Sequence, residues 1–105
     1  MSKAKSTIEK EIKKSVKVRV WERDKKRCVL CLESVGWWNA NAHVVSRAYG
    51  GLGIEQNIVT LCNDCHRQVD QSIARERLIR ALKKYLEREY PGYDFKNVVY
   101  RKWEE

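Results

Sequence analysis

Long apolar runs are missing from this chain, and so is enough acid to balance its base. No window approaches the roughly 18 consecutive apolar residues that a membrane span needs, and the opening MSKAKSTIEKEIKK lacks the apolar stretch of a secretory signal. An intracellular, cytoplasmic protein with no membrane partner is expected. Internal repeats, low-complexity tracts and a second domain are also missing from the 105 residues. With 43% apolar and 34% charged residues, the core must be thin, and at this length burial alone leaves a domain marginally stable. Against 14 acidic residues stand 22 Lys and Arg, a net charge of +8, which favours a polyanionic partner and nucleic acid first.

The base is unevenly placed. The first 27 residues hold eleven Lys and Arg against four acidic residues, nearly the whole net charge. Ser15 is positioned to cap a helix in which Val16, Val20 and Trp21 form an apolar stripe, with Asp24-Lys25-Lys26-Arg27 as its exit turn. Residues 28–61 carry the β-favouring clusters Cys28-Val29-Leu30, Val44-Val45 and Ile58-Val59-Thr60, with glycines at 36, 50, 51 and 53, and predict hairpins and loops, His43 falling in a strand from Ala40 to Val45. Trp37-Trp38 is expected in the core, the usual use of large aromatic rings. From Asp64 the pattern is helical, with a break near Gln71-Ser72. Ile73, Leu78, Ile79, Leu82, Tyr85 and Leu86 then follow a 3.6-residue period that predicts a packing helix ended by Tyr90-Pro91-Gly92. Asp94 is placed to cap a last short helix carrying Val98, Val99 and Trp103.

Cys28-Val29-Leu30-Cys31 and Cys62-Asn63-Asp64-Cys65 are two C-x2-C knuckles separated by 30 residues. Disulfides do not persist in a reducing cytosol, and paired cysteines there point to metal. Four thiolates in this pattern suit one tetrahedral structural zinc, which closes the long loop and supplies stability that a thin core lacks.

Only two histidines occur, His43 inside the long loop and His66 directly after the last cysteine. On a helix His66 and Asp70 stand at i and i+4, a spacing that lets both hold one ion, and a nitrogen with a carboxylate oxygen accepts Mg²⁺ or Mn²⁺. A four-cysteine zinc has no open position, so an ion at His66 and Asp70 would be the catalytic one. His43 can then act as general base for a water attacking a phosphodiester.

The segments CVLC, AHVVSRAYGGLGIEQNIVTLC and CNDCHRQVD set a cysteine pair, His, Gly-Gly, Asn, a second cysteine pair, His and Asp in one order. Over about residues 18–70 the chain thereby resembles the HNH (His-Asn-His) endonucleases of the four-cysteine zinc type, found in phage and restriction proteins. The resemblance implies an α+β fold: a small zinc-stapled ββα-metal core over about 28–70, with flanking N- and C-terminal helices at 1–27 and about 72–103, in a single domain. It implies that His43 is the general base, that Asn57 bonds backbone in the long loop and fixes the hairpin carrying His43, and that His66 and Asp70 bind a catalytic Mg²⁺ or Mn²⁺. Ala42 stands where the family often has a third ligand, so the ion is expected to bind weakly, with a millimolar metal dependence.

The implied reaction is hydrolysis of DNA to 3′-hydroxyl and 5′-phosphate ends, by nicking or double-strand cleavage, with mostly backbone contacts and little sequence preference. Arg47, Arg19, Arg23, Lys25, Lys26 and Arg27 are the expected DNA contacts. A phage setting with packaging proteins as partners goes with the resemblance. A noncatalytic zinc-containing module that binds DNA or protein is the alternative, and RNA cleavage ranks below DNA cleavage.

Overall fold

The computed structural model describes residues 10–99. The first helix, α1 (Lys14–Arg23), buries Val16 and Val20, as the apolar stripe predicts. Its N-cap is Lys13, without a side-chain cap bond, so the expectation that Ser15 caps it is corrected: Ser15 lies within the first turn. The exit turn forms where expected, and Lys25 and Lys26 reverse the chain at φ 63° and 61°.

The β-favouring clusters yield less strand than their composition suggests. Strands β1 (Ala42–His43) and β2 (Ile58–Val59) pair antiparallel, Ala42 opposite Val59 and His43 opposite Ile58. The rest of the expected 40–45 strand is irregular, and Cys28-Val29-Leu30 leads into a tight turn: the Val29 N–H reaches the Thr60 carbonyl at 3.0 Å, while the Cys31 and Leu32 N–H groups turn back to the Cys28 sulfur and carbonyl. After β2 the chain enters α2 (Asn63–Gln71), which stops at Ser72 in extended geometry, and then α3 (Arg75–Glu89). Among the described residues, the helices α1, α2 and α3 and a two-stranded antiparallel sheet make an α+β fold, with strand, strand and helix consecutive in the chain.

Two apolar clusters fill the interior. One joins Val44, Val59, Leu61 and Val69 to Leu82 and Leu86 of α3, with Leu78, Ile79 and Tyr85 packed against it, as the 3.6-residue period predicts. Ile73 departs from that prediction: it precedes α3 and is fully exposed. The other cluster sets Val16 and Val20 against Ala40 and Ile58, with Ile12 and Trp21 at its margin. Trp37 and Trp38 meet edge to face at 6.0 Å, but Trp38 is 62% exposed, so the expected core placement of this pair is corrected. Asp94 caps a 3₁₀ turn, Phe95–Val98, by accepting from the Lys96 N–H at 2.9 Å. Trp103 and the basic residues Lys3 and Lys5 lie outside the described residues.

A buried polar network joins these layers. Asp24, 4% exposed, accepts from the Arg23 guanidinium, from the Thr60 N–H at 2.9 Å and from the Tyr85 hydroxyl at 2.5 Å. Arg23 also donates to the carbonyls of Glu55 and Ile58 and to the Tyr90 hydroxyl. The end of α1 thereby fixes both flanks of β2 and the inner face of α3.

Candidate functional site

The two knuckles meet. Cys28 is buried at the start of a turn in which the Cys31 N–H points to its sulfur at 3.5 Å and the Leu32 N–H to its carbonyl at 2.9 Å. Cys62 is the N-cap of α2, its sulfur accepting from the Cys65 N–H at 3.3 Å. The sulfurs of Cys31 and Cys62 are 3.6 Å apart, and all four ligand atoms lie within 4.8 Å of one another. Tetrahedral zinc with Zn–S bonds near 2.3 Å requires sulfur separations of roughly 3.8 Å, so the donor set and its spacing fit. All four cysteines are free thiols. Burial and the neighbouring sulfurs push the Cys65 thiol far up, whereas at Cys28 the effect of burial is outweighed by backbone donors and the pKa falls. Four such groups could hold a metal ion such as zinc; among the described residues they are the only group of three or more metal-ligating side chains so gathered.

His43 stands on β1. Its Nε2 lies 2.8 Å from the Lys10 carbonyl. A carbonyl only accepts, so Nε2 carries the proton and Nδ1 is left as the acceptor, the form a general base requires. Burial lowers the His43 pKa from the ordinary 6.5, the Lys10 carbonyl acts against it, and the charges of Arg47 and His66 lower it further.

Asn57 is fully buried just before β2. Its Oδ1 accepts from the Val45 N–H at 2.8 Å, and its Nδ2 donates to the Val45 carbonyl at 3.1 Å and the Leu52 carbonyl at 2.9 Å. Backbone amides two residues beyond His43 and in the loop are thus latched to one side chain, the arrangement expected of Asn57. Gly51 sits against it: a Cβ there would collide with the Val45 carbonyl and press on Asn57 Nδ2.

On α2, His66 Nε2 and Asp70 Oδ2 are 3.5 Å apart at i and i+4, with 29% and 59% of their side chains exposed. They can offer one nitrogen and one carboxylate oxygen to an ion. Ala42 is 3% exposed and packs in the larger core cluster. Successive strand residues face opposite sides, so position 42 contributes packing while His43 faces the other way.

The cations divide into three kinds. Arg47, in an exposed 3₁₀ turn, acts electrostatically on His43 and borders a cleft of about 410 Å³ together with Glu11, Ile12, Lys17 and Asn41. Lys25 and Lys26 are exposed, Lys26 lying over the Trp21 ring at 5.2 Å; Arg27 is half-buried in a backbone bridge with Ser34, and Arg19 is 60% exposed although paired with Glu55 at 2.9 Å. Arg23 corrects the expectation of a DNA contact: its side chain is 12% exposed and all three nitrogens bond inside the protein. Lys17 and Asn41 were not among the expected site residues; Asn41 had a signal in standing two positions before His43, whereas Lys17 comes near only through the packing of α1. A larger hollow of about 470 Å³ near Gln56, Tyr90 and Tyr93 shares no lining residue with this cleft and holds no histidine or cysteine. No family model, curated protein or solved structure matches the chain. No helix of the described residues is long and apolar enough to cross a membrane.

Proposed function

We propose that the protein is a metal-dependent endonuclease of the HNH type that hydrolyses DNA phosphodiester bonds. The observation that carries this reading is the pairing of His43, its Nε2 held by a carbonyl and its Nδ1 left as acceptor, with the His66–Asp70 pair, close enough for His66 to bias it. His43 Nδ1 takes the proton of the attacking water. A Mg²⁺ or Mn²⁺ ion, when bound by His66 and Asp70, supplies positive charge to the scissile phosphate and the leaving 3′ oxygen. Arg47 and Lys17, on the cleft shared with Glu11, Ile12 and Asn41, contact flanking phosphates, and Lys25, Lys26 and Arg19 extend the basic surface. Zinc on Cys28, Cys31, Cys62 and Cys65 holds β2 and α2 to the first knuckle and takes no part in the chemistry. A host-cell cytoplasm and a role beside phage packaging proteins go with this reading.

One observation favours a second reading. Ala42 is turned into the core, leaving the ion two protein ligands among the expected set, as suits a noncatalytic zinc module that binds DNA or protein. Supercoiled plasmid distinguishes the two. Zinc-loaded protein should produce relaxed or linear DNA with 3′-hydroxyl and 5′-phosphate ends only when millimolar Mg²⁺ or Mn²⁺ is added. Binding without cleavage under every divalent ion would establish the noncatalytic module.

A further inference from the structure

The nuclease reading explains His43, Asn57, His66 and Asp70, but it leaves unexplained a segment outside the strand–strand–helix unit that reaches His43. Residues Lys10 to Ile12 lie before α1, and their only side chain within an apolar cluster is Ile12, at the margin of Val16, Val20, Ala40 and Ile58. The same short segment brings the Lys10 carbonyl to His43 Nε2 at 2.8 Å and lines the cleft beside Arg47 through Glu11 and Ile12.

Its seat on the other side is Gly53. A Cβ built at Gly53 would collide with the Glu11 carbonyl and lie 2.9 Å from the Lys10 carbonyl oxygen. The positive-φ glycines among the described residues are Gly50 and Gly92, so Gly53 is not required by its backbone conformation. What this position requires is the absence of a side chain, and the group that fills the space is the backbone of residues 10 and 11.

We infer that Lys10–Ile12 is a strap that fixes the orientation and tautomer of His43, and that Gly53 is a positioning residue which admits the strap to within hydrogen-bond reach. The strap acts through a main-chain carbonyl, so the identity of the side chain at position 10 is immaterial to it. For its catalytic consequence this inference rests on the nuclease reading; its structural content does not. With the carbonyl displaced, the neutral imidazole is free to carry its proton on either nitrogen, and the fraction holding Nδ1 as acceptor falls.

The test is nuclear magnetic resonance of the full-length, zinc-loaded chain labelled in histidine, at a pH where both imidazoles are neutral. His66→Gln assigns the two ring signals. His43 should show the Nε2–H tautomer in the wild type and in Lys10→Ala, and a mixture of tautomers in Gly53→Ala. Ile12→Ala, which loosens the strap without placing an atom near Gly53, should shift the population in the same direction and serves if Gly53→Ala does not fold. In plasmid cleavage Gly53→Ala should lower kcat roughly 10- to 100-fold, the range expected from a misplaced general base, with KM for DNA changed less than about twofold because the phosphate contacts remain. An unchanged His43 tautomer in both Gly53→Ala and Ile12→Ala would overturn the strap, even if the wild type cleaves DNA. A tautomer shift in a protein that cleaves nothing would uphold the strap and overturn the nuclease.

Discussion

At the scale of single residues, the site depends on side chains whose partners are backbone atoms. Asn57 satisfies one N–H and two carbonyls at 0% exposure. Asn57→Ala leaves those groups without their partner and should cost about 2–4 kcal/mol by the usual penalty for orphaned buried groups, read as a lower midpoint in urea unfolding of the zinc-loaded protein. An unchanged midpoint would mean that the loop holds itself. His43 carries the pH dependence. Its folded pKa lies below the ordinary 6.5 because of burial, with Arg47 and His66 adding to the effect. The unfolded chain therefore binds this proton at higher pH than the folded chain does, and the contribution to stability is present above 6.5 and lost as pH falls towards the folded value. In the nuclease reading proposed above, the same shift would keep the base neutral in mild acid. The acid limb of kcat/KM should have its midpoint below pH 6.5, and a midpoint above 6.5 would contradict the assignment.

At the scale of elements, periodic and capping signals were legible where they were local. Val16 and Val20, the Leu78–Leu86 stripe, the break at Ser72 and the Asp94 cap fall where spacing places them. Ser15, Ile73, Trp38 and Arg23 do not, because spacing is local and leaves undefined which positions the tertiary packing covers. Arg23 is the clearest example: in sequence it is one more cation in a basic helix, while in the fold it donates to the backbone carbonyls of both Glu55 and Ile58. Asp24 had no sequence signal beyond its place in a turn, yet it links α1, Thr60 and α3. Asp24→Ala would leave the Arg23 guanidinium buried without its counter-charge. It should cost about 3–5 kcal/mol, the usual result of breaking a buried pair from one side, measured by urea unfolding. A loss under about 1 kcal/mol, as for a surface pair, would show the network to be incidental.

At the scale of the whole molecule, two thin apolar clusters are held together by a four-cysteine centre and a buried polar network. The four-cysteine cluster was the most legible feature of all, since C-x2-C repeated across 30 residues states its own geometry. The Lys10 contact was the least legible, because no periodicity links position 10 to position 43. Removing the metal with a strong chelator should abolish the cooperative unfolding transition, and zinc should restore it, as expected where binding energy is folding energy. A chelated protein with an unchanged transition would place the cysteines outside the stability of the fold.

The central claim is that His43 performs chemistry. Its most direct test is single-turnover cleavage of a duplex by wild type and His43→Ala at matched zinc content and matched DNA affinity, with Mg²⁺ or Mn²⁺ present. A general base contributes about 10²- to 10⁴-fold, so the variant should lose at least about a hundredfold in rate while binding DNA as tightly. Equal rates in the two proteins, or cleavage by neither, would contradict the account and leave a zinc-bound DNA- or protein-binding module in its place.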